Sequence, residues 1–354
     1  MSRFYSESAK FFIMMKYFKW SFFFLICGMI IAFWRGESVQ AGLGFKDLIA
    51  ALIICSLEVS LSFDNAVVNA IKLEKMSAIW RKRFLTWGIA VAVFGMRFVF
   101  PIVIVAIFSG ISCREVLNLA LNNPDQYAHH LHEAHVGISS FGGAFLLMLF
   151  FEFMFEKGKT VHWLPALEKP LHKLGKIKGA PTILTILALC VPQFFLTAEQ
   201  IKVSVVAGIA GIIVHLAIHG LSTKLESMAE AKNAFALKHA GLASFIYLEL
   251  IDASFSLDGV LGAFALTKDV VIIAIGLAVG AFFVRSMTIM LVEKKTLDKL
   301  RYLTHGAYWA IGSLALLMFA STIKEIPEII TGGLGVALIV SSLISSLQYN
   351  KKNG

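Results

Sequence analysis

Two short acidic motifs place carboxylates inside otherwise apolar runs. The first is LEVSLSFDNAVVNAIK at 57–72, and the second is LELIDASFSLDGVLGAFALTK at 248–268. Their candidate ligands all carry oxygen: Glu58, Asp64, Asn65, Glu249, Asp252 and Asp258. Carboxylate, amide and hydroxyl oxygens without Cys or His suit hard cations such as Mg²⁺, Ca²⁺ or Mn²⁺. The residue types therefore favour a divalent cation site built from both motifs.

The two motifs are spaced alike. Laying Glu58 on Asp252 superposes Asp64 on Asp258, and the same two serines separate the acids in each copy. On a regular helix, positions six apart do not share a face. Joint coordination of one ion would therefore need an unwound segment, which serines and glycine make plausible.

One arginine follows each motif in the next apolar run, Arg97 in FGMRFVFP and Arg285 in FFVRSMTI. The acids could simply pair with these arginines as buried ion pairs. Two arginines cannot neutralise the five acids of both motifs, so a surplus of three remains if all are ionised. Protonation or a bound cation must cover that difference, and intramembrane ionisable residues are usually functional.

The composition sets the environment of these residues. Hydrophobic residues make up 58% of the 354 positions, charged residues 16%, and the mean hydropathy is +0.77. These values indicate an integral membrane protein with the bilayer as its solvent. The sequence contains no basic soluble module of the kind that binds nucleic acid. It also contains no nucleotide-binding motif or catalytic grouping that would indicate an enzyme or a resident cofactor.

The apolar runs predict an all-α polytopic membrane protein of about ten transmembrane helices. They lie near 15–34, 47–71, 84–109, 137–156, 181–197, 201–222, 240–266, 270–292, 305–322 and 328–347. With the N-terminus inside, 24 Lys and Arg fall in cytoplasmic loops and 6 on the other side. That excess follows the positive-inside rule and predicts two cytoplasmic termini.

The predicted spans divide the chain into five parts. Residues 1–45 form an amphipathic segment and a signal-anchor helix, and 46–156 form a three-helix repeat. Cytoplasmic loops and a linker helix pair occupy 157–239, a second repeat and a last helix occupy 240–347, and 348–354 are a tail. Because helices two and seven are five apart, the repeat is inverted, an arrangement common in secondary transporters. This depends on 181–197 and 201–222 being two spans.

The segments EVSLSFDNAVVNA and DASFSLDGVLGAFA, each followed by its arginine helix, resemble TerC-like integral membrane proteins of the LysE transporter superfamily. The resemblance covers about residues 46–347 and is closest to a branch known only as an uncharacterised domain. It implies a bacterial inner-membrane protein related to tellurite-resistance proteins and manganese exporters. The chain departs from better-understood members in its N-terminal helix, in the pair at 181–222 and at Gly259.

We therefore expect a transporter that exports a divalent cation, with Mn²⁺ favoured as substrate, in exchange for protons. Arg97 and Arg285 would compete with the ion for the carboxylates and close the site. Two alternatives stay open, a non-transporting membrane partner in metal supply or stress resistance, and an exporter of a small organic or oxyanionic solute. The sequence leaves homo-oligomers and membrane complexes equally open.

Two histidine groups add further hypotheses. In HHLHEAH at 129–135, within a predicted external loop, His132 and Glu133 with His129 or His135 could capture a transition metal if the segment were helical. The alternative interpretation of this segment is a solvated polar loop. His215 and His219 could form a proton relay or be satisfied within the bundle.

Overall fold

A computed structural model describes residues 2–156, 158–230, 234–294, 300–324 and 326–353. Within these ranges side chains are described except at 2–14, 75, 85, 89, 226, 229–230, 234–240, 255–258, 261, 265, 328–329 and 353. In this part of the chain every regular element is a helix. The prediction of an all-α protein is confirmed.

The first half of the chain forms seven α-helices and one π-helix among the described residues. They are α1 Ser2–Val39, α2 Gly44–Leu61, α3 Phe63–Lys75, α4 Ala78–Ala90, the π-helix Val91–Val99, α5 Phe100–Ser109, α6 Cys113–Asn122 and α7 Pro124–Met154. The predicted external loop at 110–136 is therefore mostly helical. Ser112 and Asn123 start α6 and α7 by accepting hydrogen bonds from the amides of Glu115 and Gln126.

The second half contains seven further α-helices in the described ranges. They are α8 Pro165–Leu174, α9 Ala180–Cys190, α10 Ala198–Glu230, α11 Ala234–Leu266, α12 Val270–Glu293, α13 Leu303–Ser321 and α14 Glu328–Asn353. A short 3₁₀ turn, Pro192–Phe194, follows α9.

Seven of the described helices are long and apolar enough to cross a membrane, and the bent pair α2–α3 makes eight if it is one span. The seven are Met15–Val39, Val91–Ser109, Pro124–Met154, Ala198–Leu225, Val270–Glu293, Leu303–Ser321 and Ile330–Lys352. The chain is thus a multi-pass membrane protein. The predicted span 240–266 lies in α11, which has 33 residues and carries three acids of the second motif.

The predicted span 181–197 does not form one helix of spanning length. Its α-helix, α9, has 11 residues, and Pro192 follows it in the 3₁₀ turn. Eleven residues rise about 16 Å, roughly half the hydrocarbon thickness of a bilayer. Gly175, just before α9, packs on Phe155, while Gln193, just after it, donates to Ser204 Oγ at 2.8 Å. The segment returns the chain from the end of α7 to the start of α10.

Helix α7 and helix α10 run in the same direction. Ser140 Oγ lies 2.8 Å from Ser204 Oγ, and farther along both helices Glu152 Oε1 lies 3.1 Å from His219 Nδ1. Helix α7 is the most buried of the apolar spans, while α1 and α14 are among the least buried. The core is therefore organised around α7.

Helix α13 runs antiparallel to α7 on another of its faces. Ser321 Oγ donates to Ser139 Oγ at 3.4 Å, and at the opposite end the ring of Phe153 stacks on Tyr308 at 3.9 Å between centroids. Gly143 permits this close approach, because a Cβ there would lie 3.1 Å from the main-chain oxygen of Ala315.

The helices that carry the two acidic motifs are also antiparallel. Asn65 in α3 donates to Asp252 in α11, while Glu58 in α2 reaches Gly259 farther along α11. Helix α12 packs parallel to α2, with Ile54 against Gly276 and Glu58 against Gly280. The motifs therefore face each other in the interior.

The first motif is bent. Helix α2 ends at Leu61, Ser62 has φ −97° and ψ 15°, and α3 leaves at an angle of 48°. The amide of Ser62 donates to the main-chain oxygen of Glu58 at 3.0 Å, which satisfies one end of α2. The second motif differs, because the backbone of α11 is continuous through 255–258.

Candidate cation site

Arg97 joins the two acidic motifs. Its Nη2 donates to Glu58 Oε1, and its Nη1 donates to Asp252 Oδ2 at 3.1 Å. The Arg97 side chain is 2% exposed and that of Glu58 is 2% exposed. One guanidinium therefore holds a carboxylate from each motif in a desolvated, charge-assisted pair.

The π-helix positions this guanidinium. Residues Val91–Val99 form π-helical turns, and Arg97 Nη1 also donates to the main-chain oxygen of Ala92 at 3.1 Å. π-Helical turns are rare and occur often at functional sites. Sequence reasoning singled out Arg97 but did not find the π-helix, for which Gly95 and Pro101 are the available signals.

Asn65 supplies a second link between the motifs. Its Nδ2 donates to Asp252 Oδ1, while its own Oδ1 accepts from Asn69 Nδ2 at 2.9 Å. Ser62 Oγ donates to Glu58 Oε1 at 3.1 Å across the bend. Asn69 was not singled out from the sequence, although it lies one helical turn after Asn65 and is 3% exposed.

Two glycines leave space for the Glu58 side chain. A Cβ at Gly259 would lie 2.9 Å from Glu58 Oε2, and a Cβ at Gly280 would overlap the Glu58 side chain. Gly259 is the position that the sequence marked as a departure from the TerC-like resemblance, which stays a prediction. Here the missing side chain lets the Glu58 carboxylate approach α11.

Asp64 does not join this cluster. It accepts from the amide of Asn65 at 2.9 Å, and its Oδ2 faces Gly335 of α14. Successive residues on a helix are rotated by about 100°, so Asn65 points to α11 while Asp64 points away from it. Among the described residues Asp64 is buried and has no ion pair with Lys or Arg.

Glu249 lies near the cluster without a hydrogen bond. Both of its carboxylate oxygens are buried and lack a partner among the described residues. A Cβ at Gly88 would lie 3.0 Å from Glu249 Oε1 and against Arg285 Nη2. Arg285 donates to the main-chain oxygen of Phe84 and lies 3.7 Å above the Phe84 ring.

The sixth candidate, Asp258, has a side chain outside the described residues. The four described acids of the motifs, Glu58, Asp64, Glu249 and Asp252, are all buried, as are Arg97 and Arg285. If all are ionised, acids exceed arginines by two. Buried carboxylates without a counter-charge or hydrogen bond are costly, so a proton or a cation must compensate them.

A second polar cluster surrounds Glu152 near the end of α7. His215 Nε2 lies 3.3 Å from Glu152 Oε2, and His219 Nδ1 lies 3.1 Å from Oε1. Tyr247 OH donates to Oε2 at 3.4 Å, and Lys72 Nζ lies 4.0 Å from Oε1. The sequence suggested His215 and His219 as a pair, and only the fold joins both of them to Glu152.

Lys72 and Tyr247, which belong to this cluster, lie on the two helices that also carry the central cluster. Lys72 follows Asn65 by seven residues on α3, and Tyr247 precedes Asp252 by five on α11. These separations correspond to about 10 Å and 8 Å along the helices. The same two helices therefore carry polar groups from the motifs to Glu152.

A third polar cluster surrounds Glu168 of α8, a buried carboxylate outside the spans. Glu168 accepts from His305 Nδ1 at 2.9 Å and Trp309 Nε1 at 3.1 Å, and Lys159 Nζ lies 3.7 Å away. Burial alone would raise the pKa of Glu168, but the hydrogen bond and charge of His305, with Trp309 and Lys159, lower it to about 2. Glu168 fastens α8 to the start of α13.

Comparison with known proteins gives a family without an assigned activity. A family model described as "Protein of unknown function (DUF475)" matches residues 63–353. The "Uncharacterized membrane protein YceF" of Bacillus subtilis (strain 168) is 33% identical over 129 residues, which are 34% of this chain and 49% of that protein. The chain thus matches about half the length of this curated relative.

No solved structure matches the chain. The matched family and the relative both agree with the membrane protein predicted from composition, while the TerC-like resemblance stays a prediction. Because the family model covers most of the sequence, including Asp64, Asn65 and the whole second motif, the chain belongs to the DUF475 family.

Proposed function

We propose that the protein is a secondary transporter that exports a divalent metal cation, with Mn²⁺ the favoured substrate. One observation carries this proposal. The two buried acids Asp64 and Glu249 have no ion pair to Lys or Arg in the described part of the chain, whereas Glu58 and Asp252 share Arg97. A divalent cation would neutralise the surplus of two negative charges.

The ligand chemistry supports a hard cation. Between the two motifs the oxygen donors come from Glu58, Ser62, Asn65 and Asp252. Glu249 lies one helical turn before Asp252, and Asp64 lies beside Asn65 on the side that faces α14. Mg²⁺, Ca²⁺ and Mn²⁺ prefer such oxygen ligands, whereas Zn²⁺ and Cu⁺ favour His and Cys. The helix axis also bends by 48° at Ser62, and transporters bind substrates at broken helices.

Arg97 would act as a competitor of the cation. It lies between Glu58 and Asp252 and bonds both, the position a bridging cation would take. Cation entry would release the guanidinium, and cation departure would restore it. A site that alternates between arginine and cation stays neutralised throughout the transport cycle.

The helix directions support two inverted repeats and ten crossings. The motif helices are antiparallel, and so are α7 and α13, which are third in each proposed repeat. The parallel pair α7 and α10 also fits, because α9 carries the chain back between them. Alternating exposure would then come from motion of one repeat against the other, with both termini in the cytoplasm of a bacterial cell.

Proton exchange would use the Glu152 cluster. His215 and His219 contact one carboxylate, and His219 is 38% exposed, so we expect His219 to relay protons to and from Glu152. Lys72 and Tyr247 also face this carboxylate. We expect Glu152→Gln to retain cation binding but to lose the dependence of flux on a proton gradient.

Flux in proteoliposomes tests the proposed function. Wild-type protein should transport Mn²⁺ faster than Ca²⁺ or Mg²⁺, and Asp64→Asn should abolish that flux. Glu293→Gln is a matched control, because Glu293 pairs with Lys16 at a surface where both side chains are about half exposed or more. Wild-type flux no greater than that of protein-free vesicles, for every cation, would show that the protein is not such a transporter.

A further inference from the structure

A histidine-rich group lies far from the central site, at the start of α7. His129, His130 and Glu133 occupy its second and third turns, and their ligand atoms all lie within 4.8 Å of one another. Among the described residues this is the group of three or more His, Cys, Asp or Glu that meets that condition. We propose that it binds one divalent transition-metal ion, such as Zn²⁺, Co²⁺, Ni²⁺ or Cu²⁺.

The donor spacing fits a metal site. His129 Nδ1 lies 3.6 Å from Glu133 Oε1, and His130 Nδ1 lies 3.1 Å from Glu133 Oε2. Tetrahedral Zn²⁺ with bonds of 2.0–2.1 Å separates its donors by about 3.3 Å. The two histidine–Glu133 separations bracket that value, and all three ligand atoms lie within 4.8 Å of one another, so side-chain rotations can bring them onto one ion.

The helix makes this arrangement possible. Residues i and i+4 share a face, which brings His129 to Glu133, and i and i+3 bring His130 to the same carboxylate from the other side. The start of α7 is held by the Asn123 cap and by the ion pair of Asp125 with Lys268. Spacing alone had suggested His132 with Glu133, but the structure selects His130 instead.

The ligand set differs in kind from the central one. Two imidazoles and one carboxylate suit Zn²⁺, Co²⁺, Ni²⁺ or Cu²⁺, whereas the motif acids offer oxygen alone. His129 is 72% exposed and Glu133 is 58% exposed, which leaves the fourth coordination position open to water or to another ligand. An open, exposed site exchanges its ion readily and therefore captures rather than stores it.

The position on α7 also separates the two chemistries. Glu133 precedes Glu152 by 19 residues, which is about 28 Å along the helix and close to the hydrocarbon thickness of a bilayer. The histidine site therefore lies at the membrane surface opposite the Glu152 cluster. The proposal does not depend on the central site transporting anything.

Metal titration of the purified full-length protein in detergent, with any affinity tag removed, tests the site. Zn²⁺ binding is measured by competition with a chromophoric chelator, and Co²⁺ binding by its visible absorption. All variants carry Asp64→Asn and Glu249→Gln, which removes acids of the central site from the count. The test variants are His130→Gln and Glu133→Gln, and His132→Gln is the matched control from the same helix.

We expect one Zn²⁺ per chain, with affinity weakened by at least about tenfold in both test variants and by less than about twofold in the control. Co²⁺ absorption should fall in parallel with Zn²⁺ affinity. The proposal is overturned if the parent protein binds no Zn²⁺, or if His132→Gln weakens binding as much as His130→Gln. Because the side chains changed in the test and control variants are at least partly exposed, circular dichroism should show the same helix content in them as in their Asp64→Asn, Glu249→Gln parent.

Discussion

Glu168 and Glu249 are both buried carboxylates, yet their surroundings are opposite. Glu168 is held by His305, Trp309 and the main chain of Leu164. Glu249 has no hydrogen bond to either oxygen among the described residues. A protein interior rarely leaves buried polar atoms unpaired, and exceptions call for an explanation in function.

The difference separates structural from functional burial of charge. Glu168 fastens a surface helix to a transmembrane helix through His305 and Trp309, and it also accepts from the amide of Leu164 at the start of its own helix. Glu249 lies beside Arg285 and one helical turn before Asp252, and among the described residues no hydrogen bond fixes either of its oxygens. We therefore expect the partnered groups to control stability and the unpartnered acids to control cation binding.

The largest expected effect is at the partnered centre of the motifs. Arg97→Met removes a guanidinium that bonds both Glu58 and Asp252. Breaking a buried pair from one side costs about 3–5 kcal/mol, because a charge is left uncompensated. Unfolding by denaturant in mixed micelles should show this loss, and Arg285→Met, whose partner is the Phe84 main chain, should lose less. Equal losses would contradict the contrast between the arginines.

Glu168→Gln should have the next largest effect and should depend on pH. The pKa of Glu168 is lowered from 4.5 to about 2, so its ionised form stabilises the fold by about 2–3 kcal/mol at neutral pH. Since the folded-state pKa is the lower one, that stabilisation is complete above pH 4.5 and is lost as pH falls toward 2. Thermal melts of both proteins should converge over that range. A constant difference between pH 7 and pH 3 would be evidence against this role.

Gly88→Ala should destabilise the protein by about 1–3 kcal/mol, because the new methyl group meets Glu249 Oε1 and Arg285 Nη2. Gly220→Ala is the matched control in α10, since a Cβ there has nothing within 4 Å. It should stabilise by up to about 1 kcal/mol through helix propensity. Denaturant unfolding of the two variants gives the comparison, and a neutral Gly88→Ala would mean that Glu249 and Arg285 are loosely placed.

The smallest expected effect on stability is at the unpartnered acid. Glu249→Gln removes a buried charge without breaking a hydrogen bond, so its free energy of unfolding should change by no more than about 1 kcal/mol. Glu58→Gln provides the contrast, since it weakens the bond from Arg97 and should cost several times more. If the two variants were equally destabilised, Glu249 would have to be a structural group like Glu168.

The sequence was sufficient for the features that depend on composition and local pattern. Membrane class follows from hydropathy, and the serines and acids of the first motif drew attention to Ser62, where the bend is found. The arginines were also identified, because a single charge in an apolar run is conspicuous. Each of these signals lies within one helix.

Features that depend on contacts between helices were not predictable. Glu58 and Asp252 bond Arg97, whereas Asp64 faces Gly335. This division follows from the rotation of α3 relative to α11, which the sequence alone does not show. The short α9 contradicts a simple length rule, since Pro192 and packing on α7 decide where it ends. Glu168 and His305 are 137 residues apart, so no spacing rule could pair them.

Equilibrium binding of Mn²⁺ is the most direct test of whether the unpartnered acid Glu249 belongs to a cation site. Free Mn²⁺ is measured by electron paramagnetic resonance during titration of wild type, Glu249→Gln and Glu168→Gln at neutral pH, each verified as folded. We expect Glu249→Gln to weaken Mn²⁺ affinity by at least about tenfold, as for loss of a ligand or its immediate support. Glu168→Gln should bind as wild type does. Unchanged affinity in Glu249→Gln would contradict the role of Glu249 in binding, and no binding by wild type would contradict the cation site itself.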